Sequence, residues 1–274
     1  MTAFPRRAAP ARRAAPARRA VLALGAVLAL PLAACGEHAA QGAGTTSDAI
    51  TGEVVVLAAA SLTDAFTELA ADFETAHPGV TVTLGLGGSS ALAQQVVAGA
   101  PADVLATASP GTMATVADAG GLVGEPTVVA RNRLQIAVPP GNPAGVTGLA
   151  DLGDASLAVA LCAEQVPCGA AARRVLAAAG VTPAPDTLEP DVRAVLTKVR
   201  LGEVDAGLVY RTDVLAAGDD VEGIDVPEAD AAVTDYPIAV VADAPNPRAA
   251  EAFVAHVRGE AGRKVLADAG FELP

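Results

Sequence analysis

The chain predicts an α/β fold of largely parallel sheets flanked by helices. Strand-like and helix-like patterns alternate from about Glu53 to the C-terminus, and the connections between them are short. The first strand candidate, 54–57, is a continuous apolar run, as expected of a strand buried on both faces. Such alternation over roughly 220 residues suits one large domain or two lobes, and periodicity alone does not choose between them.

The elements follow in order. After the strand at 54–57, Leu62, Ala65, Phe66, Leu69, Ala70 and Phe73 recur at helical spacing. Ser61 and Asp64 fit a capping box at the start of that helix, which ends near His77-Pro78-Gly79. A strand at 80–86 runs into Gly87-Gly88, a tight turn that lets backbone approach a ligand. Helix follows at 90–97, then a short strand at 103–107. Ser109-Pro110 reads as an N-cap with Pro at the first helical position, opening a helix that Gly120-Gly121 stops. A strand at 133–138 ends at Pro139-Pro140. A short helix at 148–152, a strand at 156–161 and a helix at 169–179 come next. Val192, Val195, Leu196 and Val199 predict a helix over 191–199. A strand at 206–210 leads through Arg211-Thr212-Asp213 into a short helix. A strand at 236–241 precedes a last long helix opened by Asn246-Pro247.

Charge narrows the function classes. The formal net charge is −13, but six arginines and no acid precede Cys35. Removing those six from 18 basic residues leaves 12 against 31 acidic ones in 35–274, a net −19. That balance argues against nucleic-acid binding, which depends on Lys and Arg neutralising phosphates. It offers an anion no long-range attraction either, so any anion must be held by short-range hydrogen bonds in a shielded site.

Residues 1–34 read as a secretory signal with an arginine-rich start and an apolar run at 21–34 too short to span a bilayer. The ending Leu32-Ala33-Ala34-Cys35-Gly36 resembles a bacterial lipoprotein signal, with Cys35 as the lipidated mature N-terminus. Residues 35–52, mostly small and polar, read as a flexible tether. Cys162 and Cys168 are candidates for a disulfide outside the cytoplasm, and the sequence leaves their state open. The three histidines, His38, His77 and His256, are scattered, and no Cys/His cluster has metal-ligand spacing.

Two serine positions stand where a strand runs into a helix: Ser61 and the Ser89-Ser90 pair. A helix start exposes unpaired N–H groups and the positive end of the helix dipole. With a hydroxyl and small neighbours, each start becomes a neutral cradle for an oxyanion.

Seven stretches in matching order resemble the periplasmic molybdate-binding proteins, the substrate-binding components of molybdate ABC importers. They are Ala58-Ala59-Ala60-Ser61-Leu62-Thr63, the Ser89-Ser90 turn, Ala98-Gly99-Ala100-Pro101-Ala102-Asp103, Gln165-Val166-Pro167-Cys168-Gly169, Asp191-Val192-Arg193, Gly207-Leu208-Val209-Tyr210 and Tyr236-Pro237-Ile238-Ala239-Val240-Val241. The resemblance covers nearly everything after Gly52. It implies the two-lobed type II periplasmic-binding-protein fold, with one lobe at 53–132 and 237–274 and the other at 133–236. It also implies a ligand set of Ser61 and Ser89 through hydroxyl and N–H, Cys168 and Val192 through N–H, and Tyr210 through its phenol. Ser89 rather than Ser90 is favoured by its offset from Leu92. Cys168 departs from the family's frequent alanine, which a backbone donor tolerates.

The implied protein is a monomeric extracytoplasmic lipoprotein on the outer face of the cytoplasmic membrane. It captures molybdate, and tungstate with it, for an ABC permease, with no cofactor, no cation-ligating metal site and no catalysis. The competing readings are the same fold taking sulfate or a small organic anion, and a surface serine or thiol hydrolase. Against the hydrolase, neither serine has a His partner in sequence and no Gly-x-Ser-x-Gly elbow is present.

Overall fold

The computed structural model describes residues 49–274. The predicted signal at 1–34, Cys35 and the tether as far as residue 48 lie outside the described residues.

Strand β1 (Gly52–Ala59) runs through a 3-10 turn, Ala60–Leu62, into helix α1 (Thr63–Ala76). Then come β2 (Val80–Gly87), α2 (Ser89–Val97), β3 (Val104–Ala106), α3 (Pro110–Asp118) and the long strand β4 (Leu122–Asn132). Arg133 alone separates β4 from β5 (Leu134–Val138). A 3-10 turn at Leu149–Gly153 leads to β6 (Val159–Cys162), α4 (Pro167–Ala178), β7 (Thr187–Glu189), α5 (Val192–Arg200), β8 (Ala206–Tyr210), α6 (Arg211–Ala217) and β9 (Glu222–Ile224). The chain returns in β10 (Thr234–Val241) and ends in α7 (Pro247–Arg258) and α8 (Glu260–Asp268).

These strands form two five-stranded sheets of the same design. Their orders are β2-β1-β3-β10-β4 and β7-β6-β8-β5-β9. In each, the strands followed by crossover helices pair in parallel: β1 with β2 and β3, β6 with β7 and β8. The other half of each sheet is antiparallel, through β10 against β3 and β4 and through β5 against β8 and β9. The sheets are therefore mixed rather than mainly parallel. The added antiparallel pairs include the strands next to the crossings between sheets, β4, β5 and β10.

Both faces of β1 are covered, which explains its unbroken apolar run. Val54, Val56 and Ala58 pack with Phe66, Phe73 and Phe253, whereas Leu57 joins Leu92, Leu105, Met113 and Val116 on the opposite side. Phe73 and Phe253 meet edge to face at 5.2 Å, so three of the few aromatic side chains anchor one face. Asp103 ties this sheet's strands together. It is buried, and its carboxylate accepts from Val55 N (2.7 Å) and Asn246 N (2.6 Å). The second sheet has its own core around Ile136, Leu161, Val175, Val195, Leu196 and Leu208.

Several expectations change in detail. Ser61 does not cap α1. It lies within the 3-10 turn, Leu62 stands at the cap position, and no side chain caps there. The reason is competition: the Ser61 hydroxyl is taken by Tyr236 and the Asp64 carboxylate by Arg193. Ser109 does cap α3, accepting from Thr112 N at 3.0 Å. The single last helix is two, broken at Gly259, which closes α7 and opens α8.

Candidate functional site

All five residues singled out as an oxyanion set, Ser61, Ser89, Cys168, Val192 and Tyr210, line one cavity of about 20 Å³. Each stands at the C-terminal end of a parallel-paired strand or in the turn just after it: β1 before Ser61, β2 before Ser89, β6 before Cys168, β7 before Val192, and β8 ending in Tyr210. Ligands in open α/β sheets bind at these ends, where successive helices start. Helices α2, α4 and α5 each direct their first turn there, with Ser89 and Val192 first in their helices and Cys168 second. Their backbone N–H groups have no acceptor within the helix, and three dipoles place partial positive charge on one point.

Ser89 and Tyr210 each have a hydroxyl proton without an acceptor among the described residues. Ser89 Oγ accepts from Ala108 N at 3.0 Å, which leaves its own proton for another acceptor. Ser61 Oγ lies 2.9 Å from Tyr236 Oη in a buried contact. Tyr210 is 1% exposed, and its hydroxyl lies beside Thr234 and Tyr236 without a well-aligned hydrogen bond. Burial raises its pKa well above the ordinary phenol value, so it stays a neutral donor. A buried polar atom left unpaired costs ~1–3 kcal/mol, and an acceptor in the cavity offsets that cost. Ser90 is turned elsewhere: its hydroxyl donates to the Gln165 carbonyl at 2.9 Å.

No basic side chain lines the cavity. The one charged residue there, Asp191, has its carboxylate on its own helix as the N-cap, accepting from Ala194 N at 3.0 Å. Arg193, next to Val192, is directed away, pairing with Asp64 and lying 3.0 Å from Asp213 Oδ1. Behind Ser61 a wider groove of about 270 Å³ is lined by Asp64, Glu68 and Asp268 as well as Arg193, a carboxylate-rich wall unsuited to an anion. Among the described residues no group of three His, Cys, Asp or Glu side chains could hold a metal ion, and no helix is long and apolar enough to cross a membrane.

Cavity size bounds the ligand. One water needs ~10–15 Å³ on this measure, and sites for drug-sized molecules run to ~300–1,000 Å³. At about 20 Å³ the space suits a small, compact ion and excludes sugars and peptides. The cavity also carries contacts between the two sheets' layers. Gly88, before α2, faces the Pro190 carbonyl, before α5. Cys162 and Cys168 are disulfide-bonded with Cα atoms 5.8 Å apart, closing the turn that presents the α4 N-terminus.

Asp213 supports the site from beneath. It is fully buried and accepts from Tyr210 N at 3.0 Å. Burial outweighs the Arg193 charge and the Tyr210 N–H and raises its pKa to about 6. Such a carboxyl holds more proton folded than unfolded between its unfolded value, ~3.9, and about 6. Its contribution to stability therefore falls as pH rises through that window. Relative to Asp213→Asn, the wild-type melting temperature is expected to drop between pH 4 and 6.5. A difference that stays flat with pH contradicts this account.

Two contributors escaped sequence reasoning. Tyr236 lies 175 residues from Ser61 in sequence, and no local pattern links them. Ala108, which engages Ser89, carries its signal only in a backbone N–H.

Residues 54–272 match the bacterial extracellular solute-binding protein family. The chain belongs to that family. Among relatives of this solute-binding protein, the molybdate-binding protein ModA of Mycobacterium tuberculosis is 43% identical over 245 residues, covering 89% of this chain and 93% of ModA. Among solved structures, the sulfate-binding protein SubI of Mycobacterium tuberculosis superposes with a TM-score of 0.72 at 19% identity, covering 81% of this chain and 86% of that one. The periplasmic molybdate-binding protein of Azotobacter vinelandii gives 0.68 at 20% identity, covering 81% and 99%. These two likenesses establish the two-lobed solute-binding fold.

Proposed function

We propose that this solute-binding protein captures molybdate outside the cytoplasm and hands it to an ABC permease. The observation that carries the reading is the convergence of five neutral donor positions on a cavity of about 20 Å³ without a basic side chain. The 43% identity to a molybdate-binding protein over most of both chains supports the choice of oxyanion. Ser61 and Ser89 donate through hydroxyl and N–H, Cys168 and Val192 through N–H, and Tyr210 through its phenol. Hydrogen bonds to a charged acceptor contribute ~1.5–3 kcal/mol each, so several replace a cationic partner. Tungstate, of the same shape and charge, binds in the same way. The lobes at 53–132 with 237–274 and at 133–236 close on the ion by a hinge motion. The protein acts as a monomer tethered to the membrane through a lipid on Cys35, and it binds without catalysis.

The test is calorimetric titration with molybdate, tungstate, sulfate and phosphate. The expected result is tight binding of the first two with sulfate weak or silent; silence for all four overturns the reading. Tyr210→Phe is expected to weaken molybdate binding by ~10–100-fold, and unchanged affinity removes Tyr210 from the ligand set. The second reading, sulfate capture, draws on the likeness in fold to SubI. Sulfate that displaces molybdate at equal concentration in a competition titration favours it.

A further inference from the structure

Ser61 can serve an anion only if its own proton points into the cavity, and the structure contains a device that sets this direction. Tyr236 sits in β10, fully buried, with its hydroxyl 2.9 Å from Ser61 Oγ. It is not among the residues that line the cavity. Either hydroxyl could donate in that pair, so the direction depends on what else Tyr236 touches.

Asn132, the last residue of β4, lies on one side of Tyr236. Its carboxamide oxygen accepts from Arg133 N at 2.9 Å, which fixes the orientation of its amide. One amide proton goes to Thr212 Oγ1 at 2.8 Å in a buried contact. The amide lies beside the Tyr236 oxygen without a well-aligned hydrogen bond to it, and among the described residues Ser61 Oγ is the well-aligned partner of the Tyr236 hydroxyl. With Ser61 Oγ as its well-aligned partner, the Tyr236 proton goes to that oxygen. Burial holds Tyr236 in its protonated form. Ser61, accepting from Tyr236, then has its own proton for the cavity it lines.

We propose that Tyr236 is a positioning residue for anion capture, committing the Ser61 hydroxyl to donation through the buried Tyr236–Ser61 hydrogen bond. This rests on the oxyanion reading above and adds to it a residue outside the ligand shell. Without the Tyr236 hydroxyl, Ser61 is free to rotate and to accept as readily as it donates. The loss falls on an ion that offers only acceptors, such as molybdate. It falls less on hydrogen phosphate, whose remaining P–OH can donate to a serine that now accepts.

The experiment measures molybdate and phosphate affinity by calorimetry on the wild type, Tyr236→Phe, Ser61→Ala and the double variant. Phenylalanine keeps the ring and its edge contacts with Tyr210 and Phe271, and a thermal melt of each variant checks the fold. Expected is a loss of ~10-fold for molybdate in Tyr236→Phe, with no further loss when Ser61 is already alanine, since coupled residues are not additive. The ratio of molybdate to phosphate affinity falls in Tyr236→Phe, and this ratio does not depend on how much protein is folded. Equal losses in both backgrounds, or an unchanged ratio, overturn the proposal and leave Tyr236 as packing. Failure of the wild type to bind any oxyanion overturns the functional reading itself, which a wild-type titration reveals before any variant is compared.

Discussion

Gly88→Ala is expected to abolish tight molybdate binding while leaving the ligand-free fold intact. A Cβ at Gly88 would stand 2.6 Å from the Pro190 carbonyl oxygen, well inside contact distance and against backbone that cannot swing aside. Pro190 precedes α5 in the second sheet's layer, whereas Gly88 precedes α2 in the first. The added methyl therefore acts between the two halves of the cavity. Gly88 itself has φ −62° and ψ 123°, a conformation that alanine adopts without strain. The variant should fold, with a melting temperature near that of the wild type, and fail to bring its helix starts together. A loss of at least ~100-fold in affinity, or about 2.7 kcal/mol, is expected by calorimetry. Affinity within threefold of wild type would mean that the close approach at Gly88 is not needed for binding.

Gly169→Ala is expected to destabilise the protein, against helix propensity. Gly169 is the third residue of α4, where alanine normally stabilises by ~1 kcal/mol. Here a Cβ would stand 2.0 Å from the Ala163 carbonyl oxygen and 2.8 Å from that of Cys162. The disulfide between Cys162 and Cys168 holds that turn against the helix, so neither side can retreat. Overpacking of this kind costs ~3 kcal/mol, outweighing the propensity gain. The net loss of about 2 kcal/mol gives a fall of roughly 4–8 °C in melting temperature for a domain of this size. Molybdate affinity should fall too, because the same turn presents Cys168. A melting temperature that is unchanged or higher would show that the turn yields.

What was legible in the sequence was what local pattern controls. The buried run of β1 and the helical spacing of α1 and α5 carry the period of their environments, and Ser109 is a cap in both readings. The strands β7 and β9, three residues each, are too short to show a period. Strand β4 escaped for another reason. It lies at a sheet edge with a largely half-exposed face, and Gly124 and Pro126 interrupt its pattern. An edge strand tolerates both. The Ser61 capping box failed because partners from distant elements outcompeted the local pair, as Tyr236 took the hydroxyl and Arg193 the carboxylate.

The candidate site was legible by motif resemblance and not by periodicity. Helix spacing makes Val192 a core residue, and it is buried, yet it also stands at the start of α5 on the cavity lining. Burial of the side chain and the proposed N–H donation are compatible because side chain and backbone act separately. Tyr236 was visible only as part of a return strand, since its partner Ser61 is brought to it by sheet order and not by chain proximity.

The most direct test of the central claim is a crystal structure of the protein grown with molybdate, with an anomalous difference map collected at the molybdenum absorption edge. The account predicts a single strong peak inside the cavity, with oxygens within hydrogen-bond distance of Ser61 Oγ, Ser89 Oγ, Tyr210 Oη and the N–H groups of Cys168 and Val192. A peak elsewhere on the protein, with this cavity unoccupied by the ion, would contradict it.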